Sequence, residues 1–206
     1  MIIGFLGAGQ MAQTLARVWL PAGHRVLLAN SRGPDSLADL VAALGPGASA
    51  ITPPQLRDAD VVVLATRWAQ LPAAVALVGS LAGKIVVDPT NNFVDDQLVD
   101  LGGRTSSEVV AELVPGARLV KAFNHLLIPR LGTLHEYAEP LALFLAGDDP
   151  AAKAVIAGLI RDLGGVPVDT GGLVEGARQW GTGGVLAGHG HPLTGTEAKA
   201  ILSGHA

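Results

Sequence analysis

The residues Gly7-Ala8-Gly9-Gln10-Met11-Ala12 carry the first chemical signal in the chain. They make a G-x-G-x-x-A pattern between an apolar run, Ile2 to Leu6, and a stretch with helical spacing. At such a strand–helix junction Gly7 allows the tight turn. Gly9 lets the backbone come close to a pyrophosphate, and the small Ala12 permits helix–strand contact. The amides of Gln10, Met11 and Ala12 open the helix, and with its dipole they favour an anion. Glycines at turns are common, so the argument for a dinucleotide site rests on this context and on a second strand at the proper distance.

Asn30-Ser31-Arg32 is the second signal. Asn30 lies twenty-one residues past Gly9. An acid there would accept hydrogen bonds from both hydroxyls of an adenosine ribose and would repel a 2′-phosphate. Asn30 does not repel it, Ser31 can donate to it, and Arg32 can give it a charge-assisted bond. The expected cofactor is therefore NADP(H). The same residues also read as a polar turn before Pro34, with Asp35 or Ser36 capping the next helix, and the two readings are compatible.

Two further clusters end on strands. Thr66-Arg67-Trp68 follows an apolar run and is expected to pass beneath the nicotinamide ribose. Thr90, with Asn91 and Asn92, offers a polar edge for an amide or a ribose, against the plainer reading of a turn.

These residues need a scaffold, and the periodicity supplies one. Strands are expected at Ile2 to Gly7, His24 to Asn30, Ala48 to Thr52, Asp60 to Thr66, Lys84 to Thr90 and Ala117 to Asn124. Helices fall between them: Met11, Leu15, Val18 and Trp19 share one face, as do Leu37, Leu40, Val41 and Leu44. Further helices are expected over Trp68 to Leu81 and Ser106 to Val114. A strand at Leu141 to Gly147, a helix opened by Asp148 or Asp149 with Pro150 and stopped by Gly164, and a strand at Val166 to Gly171 follow. The tail from Gly172 is glycine-rich and holds at most two weak helices. Alternating elements of this kind predict a Rossmann-type, doubly wound, mainly parallel α/β sheet with a short C-terminal extension. One domain over 1–206 is expected, with a dinucleotide-binding core to 125 and an extension from 126 that shapes the acceptor pocket and a dimer contact.

Composition limits the alternatives. A net charge of -4, with no basic run, argues against nucleic acid as a partner. The longest uncharged apolar-looking run, Leu71 to Gly83, has thirteen residues and is broken by Pro72 and Gly79. A spanning helix needs about 20, so no membrane association is expected. The N-terminus has no basic segment before its apolar stretch, unlike a secretory signal. With no cysteine, a cytoplasmic location is expected. His189 and His191 sit in the glycine-rich tail with His205 nearby, and Asp148-Asp149 is explained as a helix cap, so no metal site is expected.

The ordered set "GFLGAGQMA", "NSRGPDSL", Trp68, "SSEVVAELVPGARLVKAFN", "AGDDPAAKAVIAGLIRDLG" and "PVDTGGL" resembles the family of NADPH-dependent reductases of coenzyme F-420, an 8-hydroxy-5-deazaflavin. The resemblance extends to related bacterial NADP-binding oxidoreductases and to the oxidoreductase domain of the eukaryotic membrane metalloreductases. It covers residues 2 to about 180. It implies hydride transfer between NADPH and coenzyme F-420 or a flavin-type acceptor, with two rings stacked face to face and no covalent nucleophile. Ala122, Phe123 and Asn124 would border the nicotinamide, and Asn124, His125 and Leu126 would meet the acceptor. A histidine tends to follow the sixth strand in that family; here Asn124 holds the position and His125 comes next. His125 is the one candidate proton donor, weighed against a structural histidine. Relatives complete the pocket with a second subunit, which implies a homodimer with contacts near Leu173 to Leu186. A non-catalytic NADP-binding redox sensor, and a reductase of another small carbonyl or imine substrate, are the alternative functions.

Overall fold

The computed structural model describes residues 1–204; His205 lies outside them. Its framework is an eight-stranded sheet in the order β10-β9-β8-β5-β4-β1-β2-β3. The first three strands are β1 (Ile2–Leu6), β2 (Arg25–Ala29) and β3 (Ala48–Ala50); β4 (Val61–Leu64) and β5 (Ile85–Asp88) follow. An antiparallel hairpin, β6 (Phe93–Val94) with β7 (Gln97–Leu98), stands apart from the sheet. β8 (Arg118–Ala122), β9 (Ala142–Gly147) and β10 (Val166–Asp169) complete the set. Only the β8–β9 pair of the large sheet is antiparallel; the others are parallel.

β4, and β5 as far as Val87, read as continuous apolar runs because both faces of the sheet are covered. On one face lie α1 (Gln10–Trp19), α2 (Ala38–Leu44) and α6 (Pro150–Asp162), with α5 (Ile128–Leu131) packed on α1. On the other lie α3 (Leu71–Val78) and α4 (Ser106–Leu113). Trp19 sits at the centre of the first layer. Its ring lies 6.0 Å from Phe5 and 5.8 Å from Phe123, and its Nε1–H donates to the Leu159 carbonyl at 3.0 Å. That bond satisfies a buried indole and ties α1 to α6.

The sheet crosses the boundary expected at residue 125, because β9 pairs directly with β8. Residues alternate along β9: Leu141, Leu143 and Leu145 join the α1–α6 layer, while Ala142, Phe144 and Ala146 face the tail. The tail answers with α7 (Leu173–Arg178) and α8 (Gly195–Leu202), burying Ala177, Trp180, Leu186, Leu193 and Ala198 on that face. Two local devices hold it. The Asp148 carboxylate accepts from the Leu173 amide at 2.8 Å, and Thr194 with Glu197 forms a capping box at the start of α8. No helix of the described residues is long and apolar enough to cross a membrane.

Candidate functional site

Strand order decides which of the expected residues can cooperate. β2, β1, β4, β5 and β8 are consecutive neighbours, so the loops at their C-terminal ends stand in a row. These are the loops of Asn30, Gly7, Thr66, Thr90 and Asn124. At about 4.8 Å per strand the row spans roughly 19 Å, and ligands of open α/β sheets bind beyond this edge.

The two glycines of the turn differ in their surroundings. Gly7 has φ 106°, and a Cβ there would lie 2.4 Å from the Ala65 carbonyl oxygen, so only glycine fits. Above Gly9 no described residue lies within 4 Å of a built Cβ. Open space over Gly9 is what close approach of a phosphate requires. The first turn of α1 has no side-chain cap and no acidic residue, leaving its amides available to an anion. Ala12 is fully buried against the sheet, in the packing role expected for it.

At the end of β2, Asn30 Oδ1 accepts from the Arg32 amide at 2.9 Å, and Asn30 Nδ2 donates to Ser36 Oγ at 2.9 Å. The Asn30 side chain thus builds the turn. Ser31 and Arg32 are exposed, and their side chains have no partner among the described residues. At the end of β4, Thr66 Oγ1 is a buried hydroxyl without a hydrogen-bond partner among the described residues. A ligand hydroxyl or phosphate would give it one, so these residues fit a phosphorylated dinucleotide. Arg67 is exposed, and Trp68 packs partly into the α3–α4 layer beside the hairpin.

Two expectations change. Thr90 is buried, and its amide and hydroxyl both donate to Asp88 Oδ1, at 2.9 and 2.6 Å. Its carbonyl accepts from Lys121 Nζ, which also meets Asp88 Oδ2 at 2.9 Å and Ser106 Oγ at 3.2 Å. Thr90 therefore fixes the strand end rather than presenting a side chain to a ligand. Ala122 is buried inside β8, with its side chain in the core, because alternation along the strand turns it away from the cleft. The buried Asp88–Lys121 pair was not singled out in the sequence. The two residues are register partners on β5 and β8.

Beyond β5 and β8 opens a cleft of about 1320 Å³. Met11, Asn124, His125 and Leu126 line it, together with the hairpin, the 99–106 loop and the tail. Asn124 is its keystone. Its Nδ2 donates to Asn91 Oδ1 at 2.9 Å, its carbonyl accepts from Asn91 Nδ2 at 3.0 Å, and its Oδ1 accepts from Trp180 Nε1 at 3.1 Å. One amide joins the ends of β5 and β8 to the tail. The preceding Phe123 has φ 67°, a costly conformation for a residue with a Cβ, which turns the chain out of β8 into the cleft wall.

His125 is enclosed. Its ring lies 4.3 Å from Phe144 and 6.5 Å from Trp180, and Nε2–H donates to the Ala142 carbonyl at 3.1 Å. Burial lowers its pKa to about 4. The imidazole is neutral near pH 7, its one N–H is engaged, and Nδ1 is buried without a partner among the described residues. This geometry suits a structural histidine. Trp180, absent from the expected site, is the larger discovery in the wall. The close approach expected of the tail glycines occurs within one chain: a Cβ on Gly176 would lie 2.8 Å from that of Ala146. Leu173, Trp180 and Leu186 are likewise buried in their own chain, leaving Val185 as the exposed apolar residue there.

Asp149 caps α6 through the Ala151 and Ala152 amides and pairs with Arg118 at 2.5 Å. The Arg118 bond, ahead of the helix amides, holds its carboxyl well below the usual carboxylate range. Among the described residues no group of three or more His, Cys, Asp or Glu could hold a metal.

Comparisons with known proteins agree with this geometry. The family model described as "NADP oxidoreductase coenzyme F420-dependent" matches residues 2–92. A hypothetical protein of Sinorhizobium meliloti has a crystal structure that is 37% identical, with a TM-score of 0.77; the match covers 94% of this chain and 91% of that one. A protein of Arthrobacter sp. FB24, provisionally assigned as an F420-dependent NADP reductase, is 26% identical over 84% of each chain, with a TM-score of 0.72. Metalloreductase STEAP3 of Rattus norvegicus is 28% identical over 182 residues; the match takes in 84% of this chain and 34% of that protein. The chain thus spans about a third of the length of the curated relative it matches.

Proposed function

The chain belongs to the family of coenzyme F-420-dependent NADP oxidoreductases, and from that premise we propose that it transfers a hydride between NADPH and a planar deazaflavin or flavin-type acceptor bound in the cleft. The observation that carries the reading is the cleft itself. It opens at the ends of β5 and β8, beside the glycine turn, and has room for a second ring system next to a nicotinamide.

NADPH supplies the hydride when bound. The protein's part is to hold, orient and shield. Gly7, Gly9 and the amides of Gln10, Met11 and Ala12 receive the pyrophosphate. Ser31 and Arg32 receive the 2′-phosphate, with Asn30 holding their turn in shape. The Thr66 hydroxyl and the Arg67–Trp68 backbone serve the ribose beside the nicotinamide. Asn124, clamped by Asn91 and Trp180, sets the cleft wall against which the acceptor is aligned, and Leu126 adds an apolar contact. Positioning is the source of the rate in such a site. His125 contributes a rigid, uncharged wall. Phe93, Leu98 and Leu127 are exposed on the cleft lining by 50, 54 and 72%, and a second copy of the chain covering them is part of this reading. A monomer by light scattering at micromolar concentration removes that part alone.

The deciding experiment is stopped-flow oxidation of NADPH with coenzyme F-420, FMN, FAD and ferric chelates. Saturable oxidation with the deazaflavin or a flavin is expected. No turnover with any ring acceptor rejects the proposal.

A further inference from the structure

We infer that Arg130 is a phosphate-binding residue of the cleft. The inference deepens the proposed function and rests on the same cleft. The cleft is lined by the cationic residues Arg104, Lys121, Arg130 and Arg178, against one acid, Asp100. Three of the cations are already balanced. Lys121 pairs with Asp88, Arg104 with Glu112 at 2.6 Å, and Arg178 with Glu175 at 3.0 Å. Arg130 differs: it is half-buried, and its guanidinium has no ion pair or hydrogen bond among the described residues.

Its placement is fixed by packing. α5 lies on α1, and Gly132 approaches so closely that a Cβ would be 3.2 Å from Thr14 Cγ2. Pro129 and Thr133 face a smaller cavity of about 410 Å³ beside Thr14, while Ile128 and Arg130 face the main cleft. Met11, in the first turn of α1, lines the same cleft. A cation without a protein partner among the described residues thus lines the same cleft as the first turn of α1, which itself favours an anion. A phosphate ester would give the guanidinium a partner, and its geometry matches the guanidinium fork. Two ligands could bring that phosphate: the dinucleotide, through its pyrophosphate, or the acceptor, through a phosphate on its side chain.

The test compares wild type with Arg130→Ala and Arg130→Gln. NADPH binding is measured by calorimetry. FMN and riboflavin binding to the NADP⁺-loaded protein are measured by flavin fluorescence, with thermal melts to verify folding. If the dinucleotide is the source, both variants bind NADPH at least tenfold more weakly. If the acceptor is the source, both bind FMN at least tenfold more weakly while riboflavin is unchanged. NADPH and FMN affinities within twofold of wild type, in a folded variant, overturn the inference. These arms read binding. A failure of hydride transfer to any ring acceptor rejects the proposed function without touching them.

Discussion

Arg32→Ala should abolish most of the preference for NADPH over NADH. Arg32 and Ser31 are exposed and unpartnered at the end of β2, on a turn held by the Asn30 side chain. A guanidinium about 4 Å from a phosphate charge gains roughly 1 kcal/mol in a water-like dielectric and about 4 at an effective dielectric of 20. Charge-assisted hydrogen bonds measure about 1.5–3 kcal/mol, and exposure places Arg32 at the lower end. About 1.5–2 kcal/mol corresponds to roughly ten- to thirtyfold in affinity. Calorimetry at two ionic strengths should show that factor for wild type, smaller at higher salt. In Arg32→Ala the NADPH affinity should fall towards that for NADH, which itself stays within about twofold. Asn30→Asp is the complementary change. The carboxylate can still accept from the Arg32 amide, so the turn survives, but it repels a 2′-phosphate and accepts from a ribose hydroxyl. It should shift preference towards NADH. Equal NADPH and NADH affinities in wild type, or a gap indifferent to Arg32, would refute the reasoning.

The glycine turn predicts a contrast: Gly9→Val should lose NADPH binding with a cooperative melt retained, while Gly7→Ala should lower the melting temperature itself, because its Cβ meets the Ala65 carbonyl. Calorimetry and thermal melts separate the two. His125 predicts a pH dependence. Its pKa is about 4 in the folded chain and about 6.5 unfolded, so the unfolded chain takes up the extra proton between those values. Stability from this group is complete above about pH 6.5 and is lost as pH falls through 4, by up to about 3 kcal/mol. Denaturant titrations should show that slope reduced in His125→Leu, and no ionisation of this residue should mark the activity profile near pH 6.5. Trp180→Phe removes the indole bond to Asn124 while keeping an aromatic ring. It should raise the acceptor KM several-fold and leave NADPH affinity within about twofold; an unchanged KM would show that the clamp does not shape the cleft.

Much of this protein was legible in the amino-acid sequence. Period 3.6 in Met11, Leu15 and Trp19 and continuous runs such as Val61–Leu64 are direct consequences of one-sided and two-sided burial, so they report the doubly wound sheet without help from tertiary structure. The glycine turn and the neutral, basic end of β2 are equally local, because backbone conformation and charge act over a few residues. The Thr105-x-x-Glu108 and Thr194-x-x-Glu197 spacings were available signals for the two capped helices. What the sequence could not decide depends on residues far apart in the chain. Thr90 looked available until its strand end met Lys121, 31 residues away. Whether His125 was a proton donor or a structural histidine was open in the sequence, because Phe144 and the Ala142 carbonyl that enclose it lie farther along the chain. The glycine-rich tail looked loose because its apolar residues are sparse; they order only against the outward face of β9, which no local pattern reveals. Trp180 became part of the cleft because its indole found Asn124, 56 residues earlier. Local propensity fixed the strands and the dinucleotide turn, and long-range burial decided which polar groups remain free to meet a ligand.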